Sequence, residues 1–322
     1  MGLAPTRLAG ELFGIPIRLM NGMKPYKRVK FCHPLLRIKM KFNPIVYLNG
    51  HWTKQSKAMI PITDGGFLYG DGLFETIRFQ NRCLFRPENH FKRLRNGMQI
   101  LGLYLEIPDH QLRALLDESI ARNRLENGLL RVVITRGSIT TAPWIQSGKP
   151  SVYILPRLLS PVPPFPVKII WVKETAYPLI RYKPAIKSVN YLGNMMAKKD
   201  AEAANAFEPI FIDRDGFITE GAIRNIFFVR KKTVVTPDLN LGVLPGVMRE
   251  TIIEVVKQLN LDFHEECIPQ TEVNRMNEAF ISSTGIGVLP CYWEGWISDY
   301  QVTNAIKNRI DKALSTHSIK DE

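Results

Sequence analysis

The chain lacks most of the signatures that announce an enzyme class. Its four cysteines, Cys32, Cys83, Cys267 and Cys291, form no Cys-x-x-Cys pair. That spacing speaks against a zinc or dithiol site and fits reduced thiols in a cytosolic protein. No apolar run approaches the roughly 18 residues of a membrane helix, so no membrane association is expected. There is no Gly-x-x-x-x-Gly-Lys-Ser/Thr loop and no Gly-x-Gly-x-x-Gly turn, and the glycine-rich GGFLYGDG stretch lacks dinucleotide spacing. A Gly-x-Ser-x-Gly elbow is missing, and His264-Glu265-Glu266 lacks the second histidine of a zinc-binding helix. No metal is expected.

Acid is scarce at one end. Residues 1–39 carry eight basic residues and only Glu11 as an acid, which puts +7 of the net +13 in that stretch. The remainder is mildly basic with both signs interspersed, and shows no clustered basic face with stacking aromatics; nucleic-acid binding is not expected. The same 39 residues contain no serine, and Pro5, Pro16, Pro25 and Pro34 would interrupt an amphipathic targeting helix. They read as a basic, disordered extension, with the folded body starting at Met40. With 45% hydrophobic and 23% charged residues in a chain of 322, that body suits one large or two ordinary soluble domains.

From Ile45 the pattern is regular. IVYLNGHW reads as two strands around an Asn49-Gly50 turn, and Leu73–Phe79 as a strand turned back at Gln80-Asn81. Helices are predicted from Pro87, with Phe91, Leu94, Met98 and Leu101 near helical spacing, and from Asp109 to Arg122. LLRVVITRG and SVYILPR read as strands. Residues 155–167 hold five prolines, so they are expected as an extended linker between residues 40–154 and residues 168–322. Beyond it come the strand VKIIWVKE, a helical pattern after Lys187, a hairpin turned at Asp215-Gly216, the strands NIFFVRKKTVVTP, a helix from Pro245 to Leu259 and the strand EAFISS.

Lys187 stands just ahead of the first helical pattern after the linker. A nucleophilic lysine must be neutral part of the time, which burial or a nearby cation can arrange. Ile186, Val189 and Tyr191 could bury it, although a single lysine is more often a solvated charge. Glu220 follows the hairpin that folds back toward Lys187; by itself it would be a capped turn. Leu244-Pro245-Gly246-Val247-Met248 opens a helix whose free amides and dipole favour an anion, and Ser282-Ser283-Thr284-Gly285 offers hydroxyls to the same anion. Arg93 could add a fork of donors. Each feature has an ordinary structural explanation when taken alone.

Taken in order, the blocks YGDGLFETIR, HFKRL, IKSVNYLGNMMAKKDAE, DGFITEGAIRNIFFV, LPGVMRE and FISSTGIGVLP resemble the class IV (fold-type IV) pyridoxal-phosphate enzymes. These include branched-chain aminotransferases, D-amino-acid aminotransferases and aminodeoxychorismate lyases. The resemblance runs from about Tyr47 to Trp296. It implies an α+β fold like that of D-amino-acid aminotransferase, with a smaller N-terminal α/β domain and a larger C-terminal domain built on a β-barrel-like sheet. It also implies pyridoxal 5'-phosphate as cofactor, amino-acid and oxo-acid substrates, and a homodimer. By the same resemblance Lys187 is the Schiff-base lysine and proton shuttle, and Glu220 the partner of the pyridine nitrogen. Arg93, Gly246, Val247, Met248 and Thr284 would bind the phosphate, and Phe74 and Tyr191 would line the substrate pocket.

The departures concern substrate. Branched-chain enzymes typically read Lys-x-Gly-Gly-Asn-Tyr, whereas this chain has Lys187-Ser188-Val189-Asn190-Tyr191, one residue shorter. The D-amino-acid enzymes carry Pro-Arg-x-His after their Thr-Arg-Gly strand end; here Thr135-Arg136-Gly137 is followed by SITTAPWIQSGKP. Met248 replaces a threonine common in the aminotransferases and is similar to some lyases. Transamination is the leading expectation, with release of pyruvate and 4-aminobenzoate from aminodeoxychorismate as the alternative.

Overall fold

A computed structural model of the chain describes residues 42–316, apart from 141, 143 and 145–147. The extension expected over residues 1–39 lies outside the described residues.

The first sheet is antiparallel throughout. It is built from β1 (Ile45–Leu48), β2 (His51–Lys54), β3 (Gly72–Gln80), β4 (Cys83–Leu84), β5 (Gly128–Thr135) and β6 (Ser151–Arg157), in the order β2-β1-β6-β5-β3-β4. The one-turn helix α1 (Gly65–Tyr69) leads into β3, and α2 (Pro87–Leu101) and α3 (Asp109–Asn123) follow β4. Side chains alternate across a strand. Thus Leu73, Ile77 and Phe79 of β3 and Leu130, Val132 and Ile134 of β5 pack with Phe91, Leu94 and Met98 of α2 and Leu112, Leu116 and Ile120 of α3. The opposite face of the same strands presents Phe74, Thr76, Leu129 and Arg131 to a cavity.

Two details differ from the sequence expectation. The hairpin after β3 turns at Asn81-Arg82, where both residues have positive φ (49° and 63°), as a tight two-residue hairpin turn requires. Strand β6 runs through Pro156 to Arg157, so the first residues of the proline-rich segment belong to the sheet. Pro156 is tolerated there because β1 pairs only with Tyr153 and Ile154, leaving that side of β6 open.

The second sheet has eight strands: β7 (Val167–Lys173), β8 (Glu208–Ile212), β9 (Ile218–Gly221), β10 (Asn225–Arg230), β11 (Thr233–Pro237), β12 (Asp262–Glu266), β13 (Glu278–Ser283) and β14 (Gly287–Tyr292). Their order is β12-β11-β10-β13-β14-β7-β8-β9, with parallel pairs at β11–β12, β14–β7 and β7–β8. The sheet curls. Ile218 of edge strand β9 donates its amide to Ile268 O (2.9 Å), and Gln270 donates to Gly216 O (3.0 Å), so β9 meets the segment that follows the opposite edge strand. Ile226, Phe228, Val235 and Ile281 fill the inside of the curl. Phe227, Val229, Val234 and Phe280 point outward against α5 (Val247–Gln258) and α6 (Gln301–Thr316). Burial on both faces explains why NIFFV and AFIS read as continuous apolar runs rather than alternating ones. The remaining helix, α4 (Leu192–Ala203), packs Ala197 on Phe211 and Ala222. Among the described residues, no helix is long and apolar enough to cross a membrane.

Candidate active site

Lys187 lies in the segment between β7 and α4, and β3 holds that segment in place. Phe74 N donates to Lys187 O (2.9 Å) and Val189 N to Gly72 O (3.0 Å), a short antiparallel bridge at the end of the first sheet. Asn190 Nδ2 donates to Gly70 O (2.8 Å), and a Cβ on Gly70 would come 2.1 Å from Asn190 Oδ1, so this approach needs glycine. Lys187 Nζ sits 4.6 Å from the centre of the Phe74 ring, whose edge-on neighbour is Tyr191 at 5.3 Å. Burial and the nearby Arg93 guanidinium push the lysine pKa down from 10.5 to about 8, against the opposing pull of Glu75 and Glu220.

Glu220, near the end of β9, receives Arg181 NH1 at 2.5 Å on Oε1 and the Leu244 amide at 3.2 Å on Oε2. Arg181 is shared: its Nε and NH2 also donate to Glu174 Oε1 (2.9 and 2.6 Å), which further accepts from Thr219 Oγ1 (2.7 Å). Glu220 and Lys187 line one small polar cavity of about 60 Å³ together with Tyr191. Tyr191 donates its hydroxyl to Ala222 O at 2.8 Å, and burial, then the Glu220 carboxylate, raise its pKa well above the ordinary phenol value.

On its other side Lys187 lines a cavity of about 450 Å³. One end of that cavity is built for an anion. Helix α5 starts at Val247, two residues later than its sequence suggested, with Gly246 extended at the cap (φ −67°, ψ 135°) and no side chain capping it. Glycine is required at the cap: a Cβ on Gly246 would lie 2.1 Å from Asn225 Oδ1, while Asn225 Nδ2 donates to Leu244 O at 2.9 Å. The amides of the first turn have no intrahelical partner and carry the positive end of the helix dipole. Arg93, Thr284 and Ser282 line the same end, and the buried Ser282 Oγ has no hydrogen-bond partner.

The wall formed by the first sheet brings two more cations. Arg131 lies with its guanidinium carbon 3.9 Å from the Phe74 ring centre, and Arg157 comes from the neighbouring strand, diagonal to it in the register Leu129↔Arg157. Burial, then the like charge of Arg157, hold Arg131 below the ordinary arginine pKa. Among the described residues neither arginine has a carboxylate partner.

One cavity thus gathers Lys187, Arg93, Gly246, Val247, Met248, Thr284, Phe74 and Tyr191, while Glu220 lies on the adjoining one. Sequence reasoning passed over Glu75, His90, Arg131, Arg157, Arg181 and Asn225. Period-2 alternation from Phe74 and Thr76 could have found Arg131, since β5 pairs directly with β3. Arg181 and Glu75 carry no local signal, because their partners lie on other elements.

A family model for class IV amino-transferases matches residues 72–292. A D-alanine aminotransferase of Bacillus licheniformis is 29% identical over 252 residues, covering 76% of this chain and 86% of that protein. An aminodeoxychorismate lyase of Bacillus subtilis is 29% identical over 254 residues, covering 76% and 85%. The structure of a branched-chain aminotransferase of the thermophilic archaeon Thermoproteus uzoniensis with norvaline superposes with a TM-score of 0.79 at 23% identity, covering 86% of this chain and 96% of that one. The α+β fold, with its smaller antiparallel sheet and larger curled sheet, is that of the class IV aminotransferase structures. With the family model spanning two thirds of its length, this chain belongs to the class IV aminotransferases and is an enzyme.

Proposed function

We propose that the enzyme uses pyridoxal 5'-phosphate to move an amino group between an amino acid and a 2-oxo acid. The observation that carries this reading is Lys187: a buried lysine with its pKa lowered to about 8, sharing a cavity with an uncapped helix start, Arg93 and an orphaned buried hydroxyl. These residues fit a phosphorylated pyridine aldehyde. Arg93, the first-turn amides of α5 and the hydroxyls of Ser282 and Thr284 would hold the phosphate dianion. Glu220 would keep the ring nitrogen protonated, and Tyr191, lining the same small cavity, is held as a neutral phenol. When bound, the cofactor supplies an electron sink for negative charge at the substrate Cα. Lys187 Nζ would attach to the aldehyde carbon and, once displaced by substrate, carry the proton to and from Cα. Arg131 and Arg157 would take substrate carboxylates on the opposite wall.

A second reading is favoured by that same cation pair. Aminodeoxychorismate carries two carboxylates, and the Bacillus subtilis relative is named a lyase of that compound. Purified enzyme incubated with cofactor and one amino acid at a time decides between them. Transamination predicts stoichiometric 2-oxo acid, regeneration by a second oxo acid, and no 4-aminobenzoate. Release of 4-aminobenzoate from aminodeoxychorismate without an oxo-acid acceptor would sink it.

We further infer a cytosolic homodimer of two-domain subunits. The separate apolar cores of the two sheets support residues 40–154 and 168–322 as the domains. The exposed apolar run Met59, Ile60, Ile62, Phe67, Leu68 and Tyr69 supports the dimer, because such a surface calls for a cover. Light scattering on the purified chain tests it; a monomer mass would refute it.

A further inference from the structure

Strand β3 turns Leu73, Ile77 and Phe79 toward α2, and among them stands one charge, Glu75, only 1% exposed. A carboxylate at such a position is costly unless its lone pairs are filled. Here they are: Arg93 donates Nε to Oε1 at 2.8 Å and NH2 to Oε2 at 2.7 Å, and His90 Nδ1 meets Oε2 at 2.7 Å. An ionised carboxylate only accepts, so His90 carries its proton on Nδ1; its other ring nitrogen, Nε2, is buried and unpartnered. Arg93 NH1 donates in turn to Pro245 O at 2.9 Å, just before the start of α5. Three of the five guanidinium N–H groups are therefore committed, leaving one on each terminal nitrogen.

We propose that Glu75 and His90 are positioning residues for the cofactor phosphate, fixing the plane of Arg93 so that its two free N–H groups serve the anion beside the first turn of α5. This rests on the pyridoxal-phosphate reading above. The arrangement has an electrostatic side effect that makes the role testable by sign. Glu75 offsets the charge of Arg93, so if it acted only through charge, its removal would strengthen phosphate binding. If it acts by orientation, its removal weakens phosphate binding. A merely structural residue would weaken binding of the cofactor with or without its phosphate.

The test is an absorbance and fluorescence titration of full-length apoprotein with pyridoxal 5'-phosphate and with pyridoxal, using inorganic phosphate as competitor. Wild type is expected to favour the phosphorylated form by a large factor; equal binding of the two would overturn both the cofactor reading and this inference. Glu75→Gln is expected to lower affinity for the phosphorylated form about 10- to 100-fold, in line with the loss of a bidentate charge-assisted pair, and to leave pyridoxal within about twofold. Tighter or unchanged binding of pyridoxal 5'-phosphate, or an equal loss for pyridoxal, would overturn the positioning role alone. His90 gives an independent arm that leaves Glu75 and Arg93 intact, should Glu75→Gln not fold. His90→Leu removes the Nδ1 donor and should weaken only the phosphorylated form. His90→Asn can keep that donor and should restore it; failure of the rescue would refute the part given to His90.

Discussion

Two arginine–carboxylate pairs flank Lys187, and they are anchored differently. Between β3 and α2, the carboxylate of Glu75 is sunk in the core and Arg93 is the member that reaches the larger cavity. Between β9 and the segment before Lys187, Arg181 is held from behind by Glu174, and both it and Glu220 line the smaller cavity beside the lysine. The first pair offers a cation of fixed orientation; the second offers an anion of fixed orientation. Lys187 lines both cavities, with its pKa lowered to about 8. The chemistry of the site therefore rests on how each pair is anchored: in the first only the arginine reaches a cavity, in the second the arginine bridges two carboxylates and lines the cavity with one of them, a property that counting charges would not reveal.

Breaking the element between the pairs should have the largest effect. Lys187→Ala should lower turnover by at least about 10⁴-fold, since it removes both the covalent anchor and the proton carrier, while the two pairs stay in place. Steady-state rates with excess cofactor measure it, and loss of the cofactor's visible band in the same variant ties the effect to Nζ. Glu220→Ala comes next. The phosphate end is untouched, so cofactor should remain bound, but turnover should fall about 10²- to 10³-fold as the protonated ring nitrogen is lost. Near-normal turnover in that variant would remove Glu220 from its assigned role.

The contrast between the pairs also marks what could be read from the sequence. Lys187, Glu220 and the start of α5 stood out because each belongs to a local pattern: a lysine ahead of a helix, a carboxylate after a hairpin, a Pro-Gly opening. Strand β3 and helices α2 and α3 followed from periodicity to within a residue or two. Arg181 and Glu75 did not stand out, since an arginine 39 residues before its carboxylate, or a glutamate in an apolar strand, has meaning only after the chain has folded. The same holds for the need for glycine at 246: it is Asn225, on strand β10, that leaves no room for a side chain there.

The suppressed charge on Lys187 can be tested without a mutation. The amine is nucleophilic only when deprotonated, so its readiness to capture the cofactor rises with pH. Below pH 8 the capture rate of apoprotein should climb about tenfold per pH unit and level off above it. An ordinary lysine would keep climbing past pH 10. Stopped-flow absorbance separates the two, and a break near 10.5 would show that burial and Arg93 do not act on Nζ as described. The sign for stability is the same. Between about pH 8 and 10.5 the unfolded chain binds the extra proton, so the fold gains stability as pH rises through that window.

The same substitution on the two arginines gives the finest comparison. Arg93→Met removes the member that faces the ligand, so the loss should appear as a roughly 10- to 100-fold weaker hold on the phosphorylated cofactor. Arg181→Met removes the member that bridges Glu174 and Glu220. Glu174 and Glu220 then lose their shared cation; both side chains are mostly buried (15% and 13% exposed), and stability should drop by about 2 kcal/mol after allowance for solvent screening. Glu220 keeps the Leu244 amide and Asn225 Nδ2 on Oε2, so turnover should stay within about tenfold of wild type and cofactor affinity should be unchanged. Thermal unfolding and cofactor titration on the two variants side by side check this. If Arg181→Met weakened cofactor binding as much as Arg93→Met, the two pairs would be working as one electrostatic field, and the division between a cation for the phosphate and a cation for two carboxylates would fall.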